Sequence, residues 1–202
     1  MSQIQEAIKV LKHGGVVVYP TDTAYGLAVD ATNAEAVKKL FQLKGRNFKN
    51  PIHVVPPTRD SIGLFGKNSR LEKKIINELM PGPITLVVPL KAKSKSWQLL
   101  SAGTKTIGIR RPKNKIALDL AMLLGKPITT TSANVSGQSN TYSIVEVKKQ
   151  FSKSILKPDF YLDGGKLKKT QPSTVVLLDK NNVKILREGP ISERKIKQVL
   201  GL

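Results

Sequence analysis

The 202-residue chain contains no cysteine and only two histidines, His13 and His53. The absence of cysteine excludes disulfide bonds, thiolate catalysis, cysteine-rich zinc sites and iron–sulfur clusters, and it fits a reducing cytoplasm. A histidine-based catalytic triad or metal cluster would have to use one of two isolated residues. The sequence therefore gives little support to a hydrolase or a metalloenzyme.

Long apolar runs are also missing. Ile84 to Val88 is among the longest, and it is far shorter than the roughly 18 residues that a membrane helix requires. The first thirteen residues include Gln3, Gln5, Glu6 and Lys9, which interrupt any continuous apolar stretch of a signal peptide. We therefore expect a cytoplasmic protein with no membrane partner.

Acidic residues are few, because 34 lysines and arginines stand against 14 aspartates and glutamates, for a formal net charge of +20. Such a charge predicts an anionic partner. The basic residues are spread along the whole chain, however, and a lysine-rich composition without a binding role explains that distribution equally well. Composition alone leaves both explanations open.

Apolar periodicity predicts a single α/β domain over residues 1–202, built on a twisted open sheet, with no further C-terminal domain. We predict helices in residues 1–13, 34–43, 69–80, 115–124, 144–151 and 193–200. We predict strands at residues 16–19, 52–55, 84–90, 106–110, 127–131, 160–162, 174–178 and 183–187. Residues 91–104 are expected to form a lysine-bearing loop, and Asn181-Asn182 to join the last two strands.

Four segments carry polar side chains at or after these elements. A predicted turn at residues 19–27 carries hydroxyls, a carboxylate and two phenols, and a polar loop that begins at Lys44 carries the cations of 44–51. An arginine ends the strand in 106–112, and hydroxyls fill 129–137. Ligands of open α/β sheets bind beyond the carboxyl ends of strands, and arginine binds carboxylate or phosphate through two hydrogen bonds. Turn capping, helix-end neutralisation, a rim ion pair and strand-forming threonines are the structural alternatives. Taken singly, the segments do not decide between binding and structure.

The usual phosphate-binding loops are absent from the sequence. No Gly-x-Gly-x-x-Gly follows a predicted strand, and Gly66-Lys67-Asn68 lacks both the upstream glycine and the Ser/Thr of a Walker A motif. A nucleotide would therefore have to be held by side chains and unconventional loops.

The order of the motifs is more specific than any one of them. In sequence they are Tyr-Pro-Thr-Asp-Thr-x-Tyr-Gly-Leu at 19–27, Lys-x-Arg at 44–46, Asn-Pro at 50–51, Thr-Ser-Ala-Asn-x-Ser-Gly at 131–137, Pro-Ser-Thr-Val-Val at 172–176 and Leu-Arg-Glu-Gly at 186–189. As an ordered set, spanning about residues 10–190, they resemble the short, single-domain form of the YrdC-type threonylcarbamoyl-AMP synthase family.

This resemblance implies a YrdC-like fold with a positively charged central cavity. It implies an enzyme that joins L-threonine, bicarbonate and ATP into L-threonylcarbamoyladenylate and releases pyrophosphate. Partner proteins of the family then transfer the threonylcarbamoyl group to ANN-decoding tRNAs. We expect Mg²⁺ held mainly by the ATP phosphates, no organic cofactor and no metal-binding side chains. The chemistry requires charge neutralisation and in-line positioning more than a dedicated histidine base.

The resemblance also assigns roles to particular positions. The residues expected around the reacting centre are Lys44, Arg46, Ser132 and Asn134. Those expected to hold threonine are Thr23, Arg110, Thr130 and Ser173, with Arg110 on its carboxylate. Those expected to contact ATP are Arg46, Asn50, Thr106, Ser132, Asn140 and Arg187. Two departures concern the threonine side: Val55 stands where some longer members have histidine, and Asn47 replaces a common proline.

Two alternatives stay open at this point. An RNA-binding module of the same fold would use the net charge to bind phosphates of tRNA or double-stranded RNA, although the chain carries no recognised RNA-binding signature. A YciO-type paralogue would act on another substrate. Retention of both the Lys-x-Arg and the Ser-x-Asn pairs favours the synthase.

Overall fold

The computed structural model describes residues 2–66, 69–91, 93–179 and 182–202. Within these ranges the chain forms a nine-stranded mixed sheet with helices on both faces, which confirms the expected α/β class. The strands are β1 Val17–Tyr19, β2 Gly26–Ala28, β3 His53–Val55, β4 Ile84–Pro89, β5 Thr106–Arg110, β6 Ile128–Ser132, β7 Phe160–Tyr161, β8 Thr174–Asp179 and β9 Asn182–Arg187. Lys67, Asn68 and Asn181 of the sequence-based predictions lie outside the described residues.

The strand order is β7-β1-β2-β6-β3-β5-β4-β8-β9. Three neighbouring pairs are parallel, namely β1 with β7, β3 with β5, and β4 with β8; the other pairs are antiparallel. β6, which overlaps the polar segment at 129–137, β3, which follows the segment at 44–51, and β5, which contains Arg110, therefore lie side by side in the middle of the sheet.

Seven α-helices and a short 3₁₀-helix at Asp60–Leu64 are found in the described residues. The α-helices are α1 Gln3–Lys12, α2 Ala34–Lys44, α3 Arg70–Leu79, α4 Lys95–Leu100, α5 Lys115–Leu124, α6 Ile144–Gln150 and α7 Glu193–Leu200. Side-chain caps fix their starts: Asn33 Oδ1 accepts from the Glu35 and Ala36 amides, and Ser69 Oγ accepts from the Glu72 amide. None of these helices combines the length and apolarity needed to cross a bilayer.

The helices are distributed unequally over the two faces. Buried residues of α2, α3, α4, α6 and α7 pack into one large core, which contains Val54, Ile107 and Ile109 of the central strands. Only α1 and α5 pack into the smaller core on the opposite side, together with Val55 and Ile128. Two helices are too few to cover a nine-stranded sheet, so part of this second face stays open.

Three local predictions were wrong. β2 lies inside residues 19–27, which were predicted as a turn, and its three residues extend the sheet by pairing with β1 and β6. α4 lies inside the predicted loop 91–104, because Trp97 and Leu100 bury themselves in the large core. α2 runs one residue further than predicted and includes Lys44, which was expected to begin a polar loop but is 1% exposed.

Candidate functional site

A cavity of about 330 Å³ opens on the face that α1 and α5 leave uncovered. Its floor is a row of side chains from adjacent strands, because residues directly opposite each other in a ladder project to the same side. In strand order, Thr130 stands opposite His53, the His53 ring lies over Gly108, and Arg110, Thr85, Val175 and Arg187 then follow one another across the next ladders. All of these except Gly108 and Thr85 line the cavity. The register of six adjacent strands thus brings together residues more than 130 positions apart in sequence.

Arg110 is held in place from one side of the cavity. Its Nη2 donates to Thr23 Oγ1 at 2.8 Å and forms an ion pair with Asp22. The second carboxylate oxygen of Asp22 accepts the Lys113 amide at 2.9 Å, which fixes the carboxylate in turn. Arg110 Nε is buried and has no hydrogen-bond partner among the described residues. The guanidinium is therefore positioned while one donor remains uncommitted.

Ser173 connects the strand ends on the other side. Its hydroxyl lies 2.9 Å from Thr85 Oγ1, and Arg187 Nη2 donates to it at 3.1 Å. Arg187 also donates from Nε and Nη2 to the Ser173 carbonyl, at 3.0 and 2.9 Å. Burial and the nearby Arg110 charge lower the pKa of Arg187. A residue expected to hold threonine and one expected to contact ATP thus form one hydrogen-bonded unit.

Lys44 supports the cavity wall from behind. Gly45, at φ 57°, ends α2 in a left-handed conformation, so Lys44 turns inward while the chain continues to Arg46. Lys44 Nζ donates to the Ser132 carbonyl, and to Asn134 O and Oδ1 at 2.8 and 2.9 Å. Burial, with the Arg46 charge adding to it, lowers the pKa of Lys44 to about 7. These contacts position the Ser-x-Asn segment.

The two residues of the Ser-x-Asn pair are hydrogen-bonded to each other. Ser132 Oγ donates to Asn134 Oδ1 at 2.6 Å, and the Asn134 side-chain amide donates to the Gln138 carbonyl. Ser132 lines the cavity, whereas Asn134 does not. The backbone and side chain of Asn134 therefore serve here to hold Ser132 and Lys44.

Nine of the assigned residues line the cavity: Thr23, Arg46, Asn50, Arg110, Thr130, Ser132, Asn140, Ser173 and Arg187. Arg46 is fixed by donation to the carbonyls of Asn50 and Pro51, at 3.1 and 2.9 Å. Lys44 and Asn134 lie behind the wall. Thr106 lies apart from the cavity, at the opposite end of β5 from Arg110, where its hydroxyl is 3.0 Å from Thr104 Oγ1.

Three residues of this region were given no role on the basis of the sequence. Asp22 and Tyr25 belong to the 19–27 motif, whose carboxylate and phenols were noted without roles. Burial raises the pKa of Tyr25 to about 12, and its hydroxyl lies 2.7 Å from the Gly165 carbonyl and accepts the Gly164 amide at 3.0 Å. These hydrogen bonds of Tyr25 therefore fix the start of the 163–173 segment at the edge of the cavity. Thr170 Oγ1, further along the same segment, donates to the Thr23 carbonyl.

His53 is the third missed residue, and strand alternation from the buried Val54 was the signal that could have found it. Its ring lies across Gly108 of the neighbouring strand, where a Cβ atom would come within 2.4 Å of His53 Cδ2. Burial, with the charges of Arg187, Arg110 and Arg46, lowers the pKa of His53 to about 3. The imidazole is therefore neutral at physiological pH.

The cavity favours anions. Three arginines and several hydroxyls line it, and no aspartate or glutamate is among the lining residues. Over the described part of the chain, no three His, Cys, Asp or Glu side chains come together in a way that could hold a metal ion. The arrangement suits a ligand with phosphate and carboxylate groups, which arginine binds through paired hydrogen bonds.

Comparison with known proteins identifies relatives over nearly the whole chain. A Sua5/YciO/YrdC family model, described as "Telomere recombination", matches residues 9–189. The threonylcarbamoyl-AMP synthase of Bacillus subtilis is 33% identical over 200 residues, which are 98% of this chain and 57% of that protein. The chain therefore spans little more than half the length of this relative.

Two solved structures share the fold. Sua5 of Pyrococcus abyssi, solved in complex with L-threonine, superposes with a TM-score of 0.88 at 31% identity, over 98% of this chain and 57% of that one. YciO of Escherichia coli superposes with a TM-score of 0.80 at 27% identity, over 93% of this chain and 89% of that one.

Proposed function

The chain belongs to the Sua5/YciO/YrdC family, and on this premise we propose that it is a threonylcarbamoyl-AMP synthase. It would join L-threonine, bicarbonate and ATP into L-threonylcarbamoyladenylate and release pyrophosphate. One observation carries the proposal: residues assigned to threonine and residues assigned to ATP line a single cationic cavity. The threonine bound in P. abyssi Sua5 supports the amino-acid half of the assignment.

The cavity supplies separate means of binding each substrate. Arg110, positioned by Asp22 and Thr23, would hold the threonine carboxylate. Thr130 and Ser173 present hydroxyls on either side of it. A carboxylate held by a fixed guanidinium places the amino group within reach of the remaining floor, which is the positioning that the first step requires.

The nucleotide half of the cavity would act through charge. Arg46 and Arg187 would neutralise phosphate oxygens while a carbamate oxygen attacks the α-phosphorus and pyrophosphate leaves. Ser132, with its hydroxyl held by Asn134 and its carbonyl by Lys44, forms part of the same wall. Preorganised donors such as Arg46 and Arg187 stabilise charge without having to reorganise during the reaction.

Mg²⁺ would enter with ATP, because the cavity lining contains no carboxylate to hold it beforehand. Phosphate oxygens and water are the ligands that Mg²⁺ prefers, and bound Mg²⁺ would supply further neutralisation of phosphate charge. We place the enzyme in the cytoplasm, where partner proteins of the tRNA-modification pathway would consume its product.

The decisive test is mass spectrometry of the nucleotide product formed from ATP, bicarbonate and L-threonine. We expect a threonylcarbamoyl adduct of AMP, with pyrophosphate release that depends on both threonine and bicarbonate. Reactions lacking one substrate at a time serve as controls. Equal pyrophosphate release without threonine would contradict the proposal and would favour a YciO-type activity on another substrate.

Direct binding of tRNA is a second candidate function, which the net charge of +20 supports. Exposed Lys166 and Lys168, together with Lys169 beside Tyr142 and Lys149, form a basic surface next to the cavity edge. Phosphate contacts make affinity fall steeply with salt. We expect tRNA affinity to fall about tenfold or more between low and physiological salt; a flat response would show that the charge is compositional.

A further inference from the structure

His53 lies between the residues assigned to threonine and those assigned to ATP. It stands opposite Thr130 in the ladder between β3 and β6, and its ring extends over Gly108 of β5. Among the described residues, neither ring nitrogen has a hydrogen-bond partner. Neither nitrogen is among the polar atoms that are completely buried without one. The imidazole therefore faces the cavity with its polar atoms uncommitted.

The surroundings of His53 are cationic. The charges of Arg187, Arg110 and Arg46 all act on it, and the carboxylate of Asp22 is paired with Arg110. Thr130 and Gly108, on the two strands beside β3, carry no charge. In the free protein this environment disfavours protonation. Phosphate groups bound among the same arginines would offset their charge and raise the pKa of His53.

We propose that His53 accepts the proton that threonine must lose, and that bound ATP makes it able to do so. This inference rests on the proposed function. It also departs from the expectation that the reaction needs no histidine base. Glycine at position 108 is what admits the ring to the reacting region.

The proton count of the first step requires such an acceptor. Threonine arrives as an ammonium ion, which has no free electron pair. His53 takes one ammonium proton; the resulting amine forms a C–N bond with the bicarbonate carbon, one C–O bond breaks, and the departing hydroxide leaves as water with a second proton from nitrogen. The carbamate then attacks ATP, and the imidazolium returns its proton to solvent.

Geometry supports this choice of group. A general base must reach its proton directly or through one water molecule. The amino group of threonine is one carbon away from the carboxylate that Arg110 is expected to hold, and both Arg110 and Thr130 share the cavity floor with His53. Threonine bound in this way would have its ammonium group within reach of the imidazole, directly or through one water molecule.

Nuclear magnetic resonance of the wild-type protein tests the coupling to ATP directly. The chain has only two histidines, and exposed His13, whose Nδ1 lies 2.8 Å from the Lys9 carbonyl, is an internal reference. Imidazole ¹⁵N signals would be followed from about pH 8 to about pH 5, with and without Mg²⁺ and α,β-methylene ATP. We expect His53 to stay neutral throughout this range without the nucleotide, and to titrate with a midpoint above about pH 5 when the nucleotide is bound. An unchanged His53 titration would overturn the proposal.

His53→Gln provides the kinetic test, with His13→Gln as the matched control. We expect the turnover rate of His53→Gln to fall about 100-fold near pH 7, with the deficit narrowing at higher pH, where more threonine is already deprotonated. His13→Gln should match the wild type. A deficit that is constant across pH would assign His53 a packing role and overturn the proposal, as would no deficit.

The two proposals fail in different ways. If wild-type protein forms no threonylcarbamoyladenylate, the proposed function fails and the role of His53 fails with it. If the product forms but His53→Gln keeps the wild-type pH profile, only the role of His53 fails. If His53→Gln does not fold, the wild-type titration decides.

Discussion

The two faces of the sheet carry opposite chemistry on the same strands. In β5, Ile107 and Ile109 project into the large core under five helices, whereas Gly108 and Arg110 project to the open face. Side chains alternate across a strand with a period of two, so core and site share one strand. The number of helices over each face decides which side is filled with apolar residues and which is left as a cavity.

The open face is nevertheless not loosely built. Its charged side chains are held by protein partners: Arg110 by Asp22, Arg187 by Ser173, and Lys44 by Asn134. Buried polar groups left without partners cost free energy, whereas paired ones are fixed in place. Substitutions on the covered face should therefore reduce stability, whereas substitutions on the open face should reduce activity.

Arg110→Ala should give the largest effect. Truncating one partner of a buried charge pair typically costs 2–5 kcal/mol, so we expect the specificity constant for threonine to fall about 1000-fold. The reason is loss of the group that holds the carboxylate. Pyrophosphate release measured against threonine concentration checks this, and an unchanged threonine dependence would show that Arg110 is not the carboxylate ligand.

Arg111→Ala is the matched control for that experiment. Arg111 is the next residue in the chain, but its side chain is directed away from the cavity lining, with Nη1 3.4 Å from the Pro56 carbonyl. We expect its threonine dependence to stay within about threefold of the wild type. Equal loss in both variants would mean that overall positive charge, and not the position of Arg110, controls threonine binding.

Ile109→Ala tests the covered face with a smaller expected effect. Ile109 is fully buried in the large core, and removing three carbons from such a site typically costs 2–5 kcal/mol. We expect the free energy of unfolding in urea to fall by about 3 kcal/mol while the folded fraction keeps its specificity constant. Leu123→Ala, at a half-exposed position of α5, should change little. A large loss of activity without loss of stability would break the division between the faces.

Much of the fold was predictable because its signals are local. The helices predicted from residues 34 and 69 begin where Asn33 and Ser69 cap them, and each of the eight predicted strands is present with its limits within one residue. The one strand and the one α-helix that were missed are short. β2 has three residues, which pair with β1 and β6, and α4 has only Trp97, Leu99 and Leu100 to indicate a buried side.

The residues of the site could be predicted from the sequence, but the hydrogen bonds and ion pairs between them could not. Ordered motifs indicated which residues belong together, and the cavity contains nine of them. Lys44 can be buried behind the wall because the carbonyls of Ser132 and Asn134, almost ninety residues away in sequence, accept its hydrogen bonds. The pairing of Asp22 with Arg110 is similarly long-range. Such contacts depend on strand register, which a single sequence leaves undetermined.

The smallest expected effect concerns the pH dependence of stability, and it tests whether the open face, like the covered one, holds a side chain in a fixed state. The residue concerned is His53. The pKa of His53 is about 3 in the folded protein, against about 6.5 when unfolded, because burial and three cavity arginines disfavour its charge. Between these values the unfolded chain binds a proton that the folded protein does not, so the free energy of unfolding falls as pH decreases from 6.5, and above 6.5 His53 contributes no dependence. Between about pH 7.5 and about pH 5, wild type should lose about 2 kcal/mol more than His53→Gln in urea unfolding. Saturating α,β-methylene ATP should shrink that difference, because phosphate among the arginines brings the folded pKa of His53 back toward its unfolded value. An equal loss in both proteins would show that the open face does not hold this imidazole neutral.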